Sequence, residues 1–110
     1  TYGVFALESM ALGKPVITRI SEAMSEELPE ELPVLSASPH TIEQALEELI
    51  CDGAKRRAMG CAGRRYVEEY HDYKNIARVL SAIYRNELPP AHGREAFARV
   101  KAIHDGKDCQ

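Results

Sequence analysis

Glu8 is the residue in this chain whose surroundings raise a chemical question. If residues Gly3 to Leu12 form a helix, the side chains three and four positions from Glu8 are Val4, Phe5, Ala11 and Leu12, all apolar. An ionised carboxylate held among apolar groups is costly unless it has partners. The spacing therefore leaves four states open: an acid at the edge of the core, an ion-paired acid, a neutral acid, or a carboxylate that waits for a hydrogen-bonding ligand. Gly3 stands at the start of the same segment, where the lack of a side chain lets a ligand approach free backbone N–H groups at the positive end of the helix dipole. Glu8 lies five residues further on, about 7.5 Å along the axis at 1.5 Å per residue, roughly the reach from a diphosphate to the hydroxyl pair of its ribose. A ribose diol can donate two hydrogen bonds to one carboxylate.

Other reactive side chains are less suggestive. His40, His71, His92 and His104 show no i, i+4 pair and no carboxylate at a telling spacing, so each reads as a surface histidine. Ser9, Ser21 and Ser25 lack a nucleophile elbow, which argues against hydrolase chemistry. Lys55, Arg56 and Arg57 fall in the first turn of a helix and read as a solvated face. Arg19 ends a strand, where ligands of α/β sheets commonly sit, but an ion pair with the acidic stretch that follows is the simpler expectation. Tyr66, Tyr70, Tyr73 and Tyr84 recur at helical intervals and read as packing residues. Cys51, Cys61 and Cys109 are odd in number and lack C-x-x-C spacing, so neither a disulfide framework nor a zinc site is expected, and no metal is called for.

The elements that would carry these residues follow from pattern. Gly3–Leu12 is apolar on almost every side and reads as a short buried helix stopped by Gly13 and Pro15. Pro15–Arg19 and Pro33–Ser36 are short β-branched or apolar runs bounded by turn formers, and read as two strands. Between them, Ser21–Leu32 carries five glutamates and reads as a solvated acidic connection that can hold a helical turn. Ser38-Pro39 has the form of an N-cap and first-turn proline ahead of an apolar stripe at Ile42, Ala45, Leu46, Leu49 and Ile50. Asp52-Gly53 breaks that helix. A second runs from about Ala54 to Tyr70 with Met59, Ala62, Tyr66 and Tyr70 inward, and Asp72 can cap a third bearing Tyr73, Ile76, Ala77, Leu80, Ile83 and Tyr84. Pro89-Pro90 ends it. The remainder has a weak stripe, Phe97, Val100 and Ile103, and a polar end from Asp105 to Asp108, which predicts a weak helix and a frayed tail.

Strands joined by long helical connections predict an α/β fold with a few short parallel strands flanked by helices. Two strands do not make a self-sufficient parallel sheet, so further strands are expected upstream of Thr1, in a longer parent. At 110 residues and a formal charge of −3 the chain is sized for one modest core and has no overall pull toward nucleic acid. No apolar run reaches the roughly 20 residues of a membrane span, and the start lacks the charge and hydropathy pattern of a leader. A cytoplasmic location with reduced thiols is the default expectation.

The stretch YGVFALESMALGKPVIT resembles the donor-binding signature of GT-B fold retaining glycosyltransferases of family 4 and its relatives (group 1), through Gly3, Val4, Phe5, Ala6, Leu7, Glu8, Met10, Ala11, Gly13, Pro15, Val16 and Ile17. Gly63-Arg64-Arg65-Tyr66-Val67, Tyr70, Tyr73, Ala77 and Tyr84 are similar to the helices that close that family's C-terminal domain. The resemblance implies that residues 1–88 are the C-terminal portion of a Rossmann-like nucleotide-sugar-binding domain and 89–110 an extension. It implies that Glu8 binds ribose hydroxyls of a nucleoside diphosphate sugar, with the backbone of Gly3, Val4 and Phe5 near the diphosphate. That donor is a substrate, and no cofactor is implied. The signature's first Glu would fall one place before Thr1, and the family's phosphate-binding Arg and Lys and its N-terminal acceptor domain lie outside the chain. The expected role is thus donor binding for sugar transfer to a hydroxyl acceptor, in a chain inactive alone. Where the family often carries Gly-Gly after the Val-Ile strand, this chain has Ser21-Glu22-Ala23-Met24, a departure that bears on donor contacts. The residues alone also permit a non-catalytic α/β interaction or regulatory module in which Glu8 pairs with an internal arginine such as Arg19.

Overall fold

The computed structural model describes residues 2–105. In chain order the elements are α1 (Gly3–Ala11), β1 (Ile17–Thr18), α2 (Glu22–Glu27), β2 (Leu35–Ser36), α3 (Ile42–Cys51), α4 (Gly53–Tyr70), α5 (Tyr73–Tyr84) and α6 (Gly93–His104). The chain is mostly helical, with one parallel pair in register Ile17 to Leu35 and Thr18 to Ser36. The two strands are shorter than their apolar runs. Flanking bonds from Leu35 N–H to Val16 O (2.9 Å) and Ala37 N–H to Thr18 O (3.0 Å) complete the ladder.

Helix ends follow local chemistry. Gly13, at φ +70°, closes α1 in a Schellman turn: its N–H donates to Met10 O and that of Lys14 to Ser9 O, both at 2.9 Å. Asp52 and Asp72 cap α4 and α5, their carboxylates accepting from Lys55 N–H at 2.9 Å and Lys74 N–H at 3.0 Å. The start of α3 falls later than expected. Thr41 rather than Ser38 flanks it, because Ser38, Pro39 and His40 form a turn whose Ser38 carbonyl accepts from Thr41 and Ile42 N–H.

α4 organises the core. Ala6, Met10, Val16, Tyr66 and Tyr70 are buried together, with Tyr2, Leu7, Leu32, Val34, Val67 and Phe97 packed around them. Two glycines of α4, Gly60 and Gly63, form the seam where α1 seats: a Cβ on Gly60 would stand 2.1 Å from Gly13 O, and one on Gly63 would stand 3.0 Å from Met10 Cγ. The arginines of α4 then hold the ends of its neighbours. Arg64 donates to Ala11 O (2.7 Å) at the end of α1, and Arg56 to Leu49 O and to Ile50 O (2.7 Å) near the end of α3. Arg56 therefore serves as a cap instead of a solvated charge, and Lys55 pairs with Glu48.

The segment after Pro90 is more than a weak helix. α6 has 12 residues and packs on α2, α4 and α5, burying Ile103. Arg94 ties it to the acidic connection, donating to Leu28 O (2.8 Å), Ser25 O (2.9 Å) and Glu30 Oε1 (3.1 Å). The rest of the polar end, Gly106 to Asp108, and Cys109 lie outside the described residues.

α1 is not a buried helix. Only Ala6 and Met10 are enclosed, whereas Val4, Phe5 and Leu12 are 69%, 82% and 76% exposed. α1 buries chiefly the face that seats on α4, its main neighbour. The stripe of α5 is likewise turned outward, with Tyr73, Leu80 and Tyr84 exposed and Asn75 and Val79 buried, so two of the four tyrosines read as packing residues do not pack. The radius of gyration, 15.6 Å, exceeds the ~13 Å of a compact 100-residue domain, in keeping with these open apolar faces. Among the described residues no helix is long and apolar enough to cross a membrane.

Candidate functional site

The first turn of α1 presents the polar backbone that its sequence suggested. A helix leaves its first N–H groups without intrahelical partners, and among the described residues no side chain caps this end. Gly3 begins it at φ +78°, a left-handed conformation that an L side chain rarely adopts, while a Cβ there would meet nothing within 4 Å. Glycine is thus required by backbone conformation, and the space beside it is open. Val4 and Phe5 extend the same open turn.

Glu8 is exposed, one turn beyond Val4 and beside Phe5 and Leu12. Its carboxylate has no hydrogen bond or ion pair with any described residue. Of the four states that the spacing allowed, burial as a neutral acid and ion pairing are therefore removed for the described residues. The apolar neighbours are real, but they face solvent with Glu8 rather than enclosing it. Arg19 is exposed too and pairs neither with Glu8 nor with the acidic connection, whose Glu30 and Glu31 are taken by Arg94 and Lys101, each at 3.1 Å. It lines a shallow hollow of about 300 Å³ at the strand ends, with Thr18, Ser38 and Ile42 among its neighbours.

A cavity of about 640 Å³ opens between α1, α2 and α6, walled by Val4, Leu7, Met24, Leu28 and Phe97, with Tyr2, Gly3, Ala23 and Glu27 at its margin. That volume is within the range of small-molecule sites. Gly3 and Val4 border it, whereas Phe5 and Glu8 do not, so the four expected binding residues share one helix end without lining one cavity. Among the described residues no group of three or more His, Cys, Asp or Glu is placed to hold a metal ion.

Behind this end of α1 lies an aromatic cluster that sequence reading missed. The Tyr2 hydroxyl is 3.1 Å from that of Tyr66 and 3.0 Å from His71 Nε2. His71 is half-buried against the rings of Tyr2, Tyr66 and Phe97, with ring centres 6.3, 5.5 and 6.0 Å away, and is not a surface histidine. Burial lowers its pKa and raises those of Tyr2 and Tyr66. Tyr66 and Tyr70 could be placed by period, but His71 sits just past α4, where period no longer applies, so nothing in the local pattern marked it. Tyr70 donates to Glu31 Oε1, and Lys101 donates to the same oxygen. The Tyr70 bond, followed by a backbone bond and Lys101, holds Glu31 down at about 2. Burial, then the bond to Glu31, pushes Tyr70 up to about 12.

A family model described as glycosyl transferase-like matches residues 6–82, more than half of the chain. The match takes in Glu8, Tyr66 and His71 and begins after the Gly3–Phe5 turn. No curated protein and no solved structure gives a match.

Proposed function

Since the chain belongs to the glycosyl transferase-like family, we propose that it is the donor-binding part of a GT-B glycosyltransferase of the family 4 type, which transfers a sugar from a nucleoside diphosphate sugar to a hydroxyl acceptor. The observation that carries this reading is the pairing, on one helix, of a first turn opened by Gly3 with an exposed carboxylate at Glu8, neither of which has a side-chain partner among the described residues. The N–H groups of Gly3, Val4 and Phe5 and the dipole of α1 favour the diphosphate. As the bond from sugar to phosphate breaks, charge builds on the departing diphosphate, and donors already in place stabilise it with little reorganisation. Glu8 accepts from the two ribose hydroxyls and so fixes the nucleoside end. It neither takes nor gives a proton in the transfer.

In this reading further strands and an acceptor-binding domain belong to a longer parent, and the chain alone does not turn over. Support comes from a parallel sheet of two strands, a kind ordinarily covered on both faces and several strands wide, and from the open apolar side of α1. The alternative of a regulatory module held by a Glu8–Arg19 pair has no ion pair to rest on among the described residues.

The test is calorimetric titration of ADP, GDP and UDP into the protein and its Glu8→Ala and Glu8→Gln variants. Hydrogen bonds to a charged group contribute about 1.5–3 kcal/mol, so loss of the carboxylate should weaken binding roughly tenfold to a hundredfold. Equal affinity of all three proteins would refute the role given to Glu8.

A further inference from the structure

Two hydroxyls and an imidazole lie behind the turn of α1 to which donor binding is assigned above. Tyr2 immediately precedes Gly3, and that turn has no side-chain cap among the described residues. Its anchor is the Tyr2 hydroxyl, which sits between Tyr66 Oη and His71 Nε2. Each phenol has one proton to donate, so a consistent chain runs from Tyr66 to Tyr2 to an unprotonated Nε2. A proton on Nε2 reverses it. Tyr2 then accepts from Nε2, the two phenols share the single bond between them, and one of their two protons is left without an acceptor among the described residues, beside a Tyr66 that is 2% exposed.

The groups facing His71 are Tyr2 from the start of α1, Tyr66 from α4 and the uncharged Phe97 from α6. The nearby charges are engaged elsewhere: Asp72 caps α5, and Glu31 and Lys101 meet at Tyr70. Imidazole is therefore the group in this cluster that changes charge near neutral pH.

We propose that His71, acting through Tyr2, is a positioning residue for the open turn of α1: unprotonated Nε2 lets the Tyr66 and Tyr2 hydroxyls both donate and holds Gly3 and Val4 in place, and protonation, which reverses the bond to Tyr2 and costs the cluster one acceptor, loosens them. The consequence for donor binding rests on the function proposed above, whereas the fastening itself does not.

The experiment follows the ¹⁵N-labelled protein from pH 7.5 to 5. Imidazole nitrogen shifts report the His71 tautomer and midpoint. Amide exchange, normalised to intrinsic rates, reports Leu7 and Glu8, whose N–H groups close the first turn on Gly3 and Val4. Nε2 should be unprotonated in neutral His71, and protection at Leu7 and Glu8 should fall about fivefold through the His71 midpoint, the factor that one net hydrogen bond supplies. His71→Gln should abolish that step and Tyr2→Phe should lower protection at every pH; if either fails to fold, the wild-type series decides. Protection that stays level through the midpoint, or a neutral tautomer with the proton on Nε2, overturns the proposal. In parallel, the affinity for ADP, GDP or UDP should fall with the same midpoint. Absence of binding at all pH values defeats the donor reading and leaves the exchange data to judge the fastening, while binding that is level across the midpoint overturns the positioning role.

Discussion

Gly60→Ala should destabilise the protein strongly, whereas Gly63→Ala, less than one turn further along the same helix, should not. The new Cβ at position 60 falls 2.1 Å from Gly13 O and 2.9 Å from Gly13 C, so the two backbones must part by roughly 1 Å or more to regain ordinary contact. Gly13 cannot yield by itself. Its conformation is set by the Schellman bonds to Met10 and Ser9, and Arg64 clasps the adjoining carbonyl of Ala11. α1 as a whole must lift from α4, which loosens Ala6 and the fully buried Met10. Overpacking of this kind costs about 1–3 kcal/mol, and a clash with backbone belongs near the upper end. Removing a glycine from a helix interior returns about 0.8–1 kcal/mol, leaving a net loss of about 2 kcal/mol. At about 4–8 °C per kcal/mol for a domain of this size, Tm should fall by about 10 °C. At Gly63 the Cβ meets Met10 Cγ at 3.0 Å, Cβ at 3.2 Å and Cα at 3.4 Å, so α1 need give by only a few tenths of an ångström, and the helix gain offsets the strain to within about 1 kcal/mol. Urea and thermal unfolding followed by circular dichroism measure both. A Gly60→Ala protein as stable as the parent, or one more stable than Gly63→Ala, would refute the tight seam between α1 and α4.

Acidification should reduce stability in two stages. His71 has a folded pKa below its ordinary value of 6.5, so its contribution is complete above 6.5 and is lost as pH falls toward the folded value. Glu31, held at about 2 against an ordinary 4.5, contributes fully above 4.5 and loses that contribution as pH falls toward 2; urea midpoints of Glu31→Gln should be flatter than those of the parent in that lower window. Asp52→Ala should lower stability by about 1 kcal/mol through loss of the α4 cap, read from the same urea transitions. Glu8→Ala, which weakens nucleotide binding in the proposed function, should leave the unfolding midpoint within about 0.5 kcal/mol of the parent, because an exposed side chain with no partner among the described residues is removed.

What could be read from the sequence was local. The cap at Asp72, the break at Asp52-Gly53, the stop at Gly13 and the inward Ala45 and Leu49 of α3 follow from rules that act within a few residues, although Ile42, Leu46 and Ile50 of the same stripe are exposed; the parallel pairing of the two strands follows from the long connection between them. The surroundings of Glu8 were not legible. α1 is apolar on almost every side, so its own pattern names no buried face, and the choice is made by the Gly60–Gly63 seam on a helix some fifty residues away. α5 misled for the opposite reason: its stripe is clean, but Tyr73, Leu80 and Tyr84 face outward, which periodicity cannot reveal. His71 needed three rings from three elements to enclose it. The turn at Gly3 was legible because its left-handed backbone conformation depends on what glycine lacks there.

Arg56 and Arg64 make α4 a measuring rod. Each guanidinium reaches the terminus of a different neighbour, and the eight-residue interval between them, about 12 Å of rise, sets how far apart those two termini stand. Inserting or deleting a single residue in that interval would swing one arginine through about 100° and unseat the helix it grasps. Changes of length in this protein are therefore to be accommodated in its connections, and the stretch between these two arginines must keep its count.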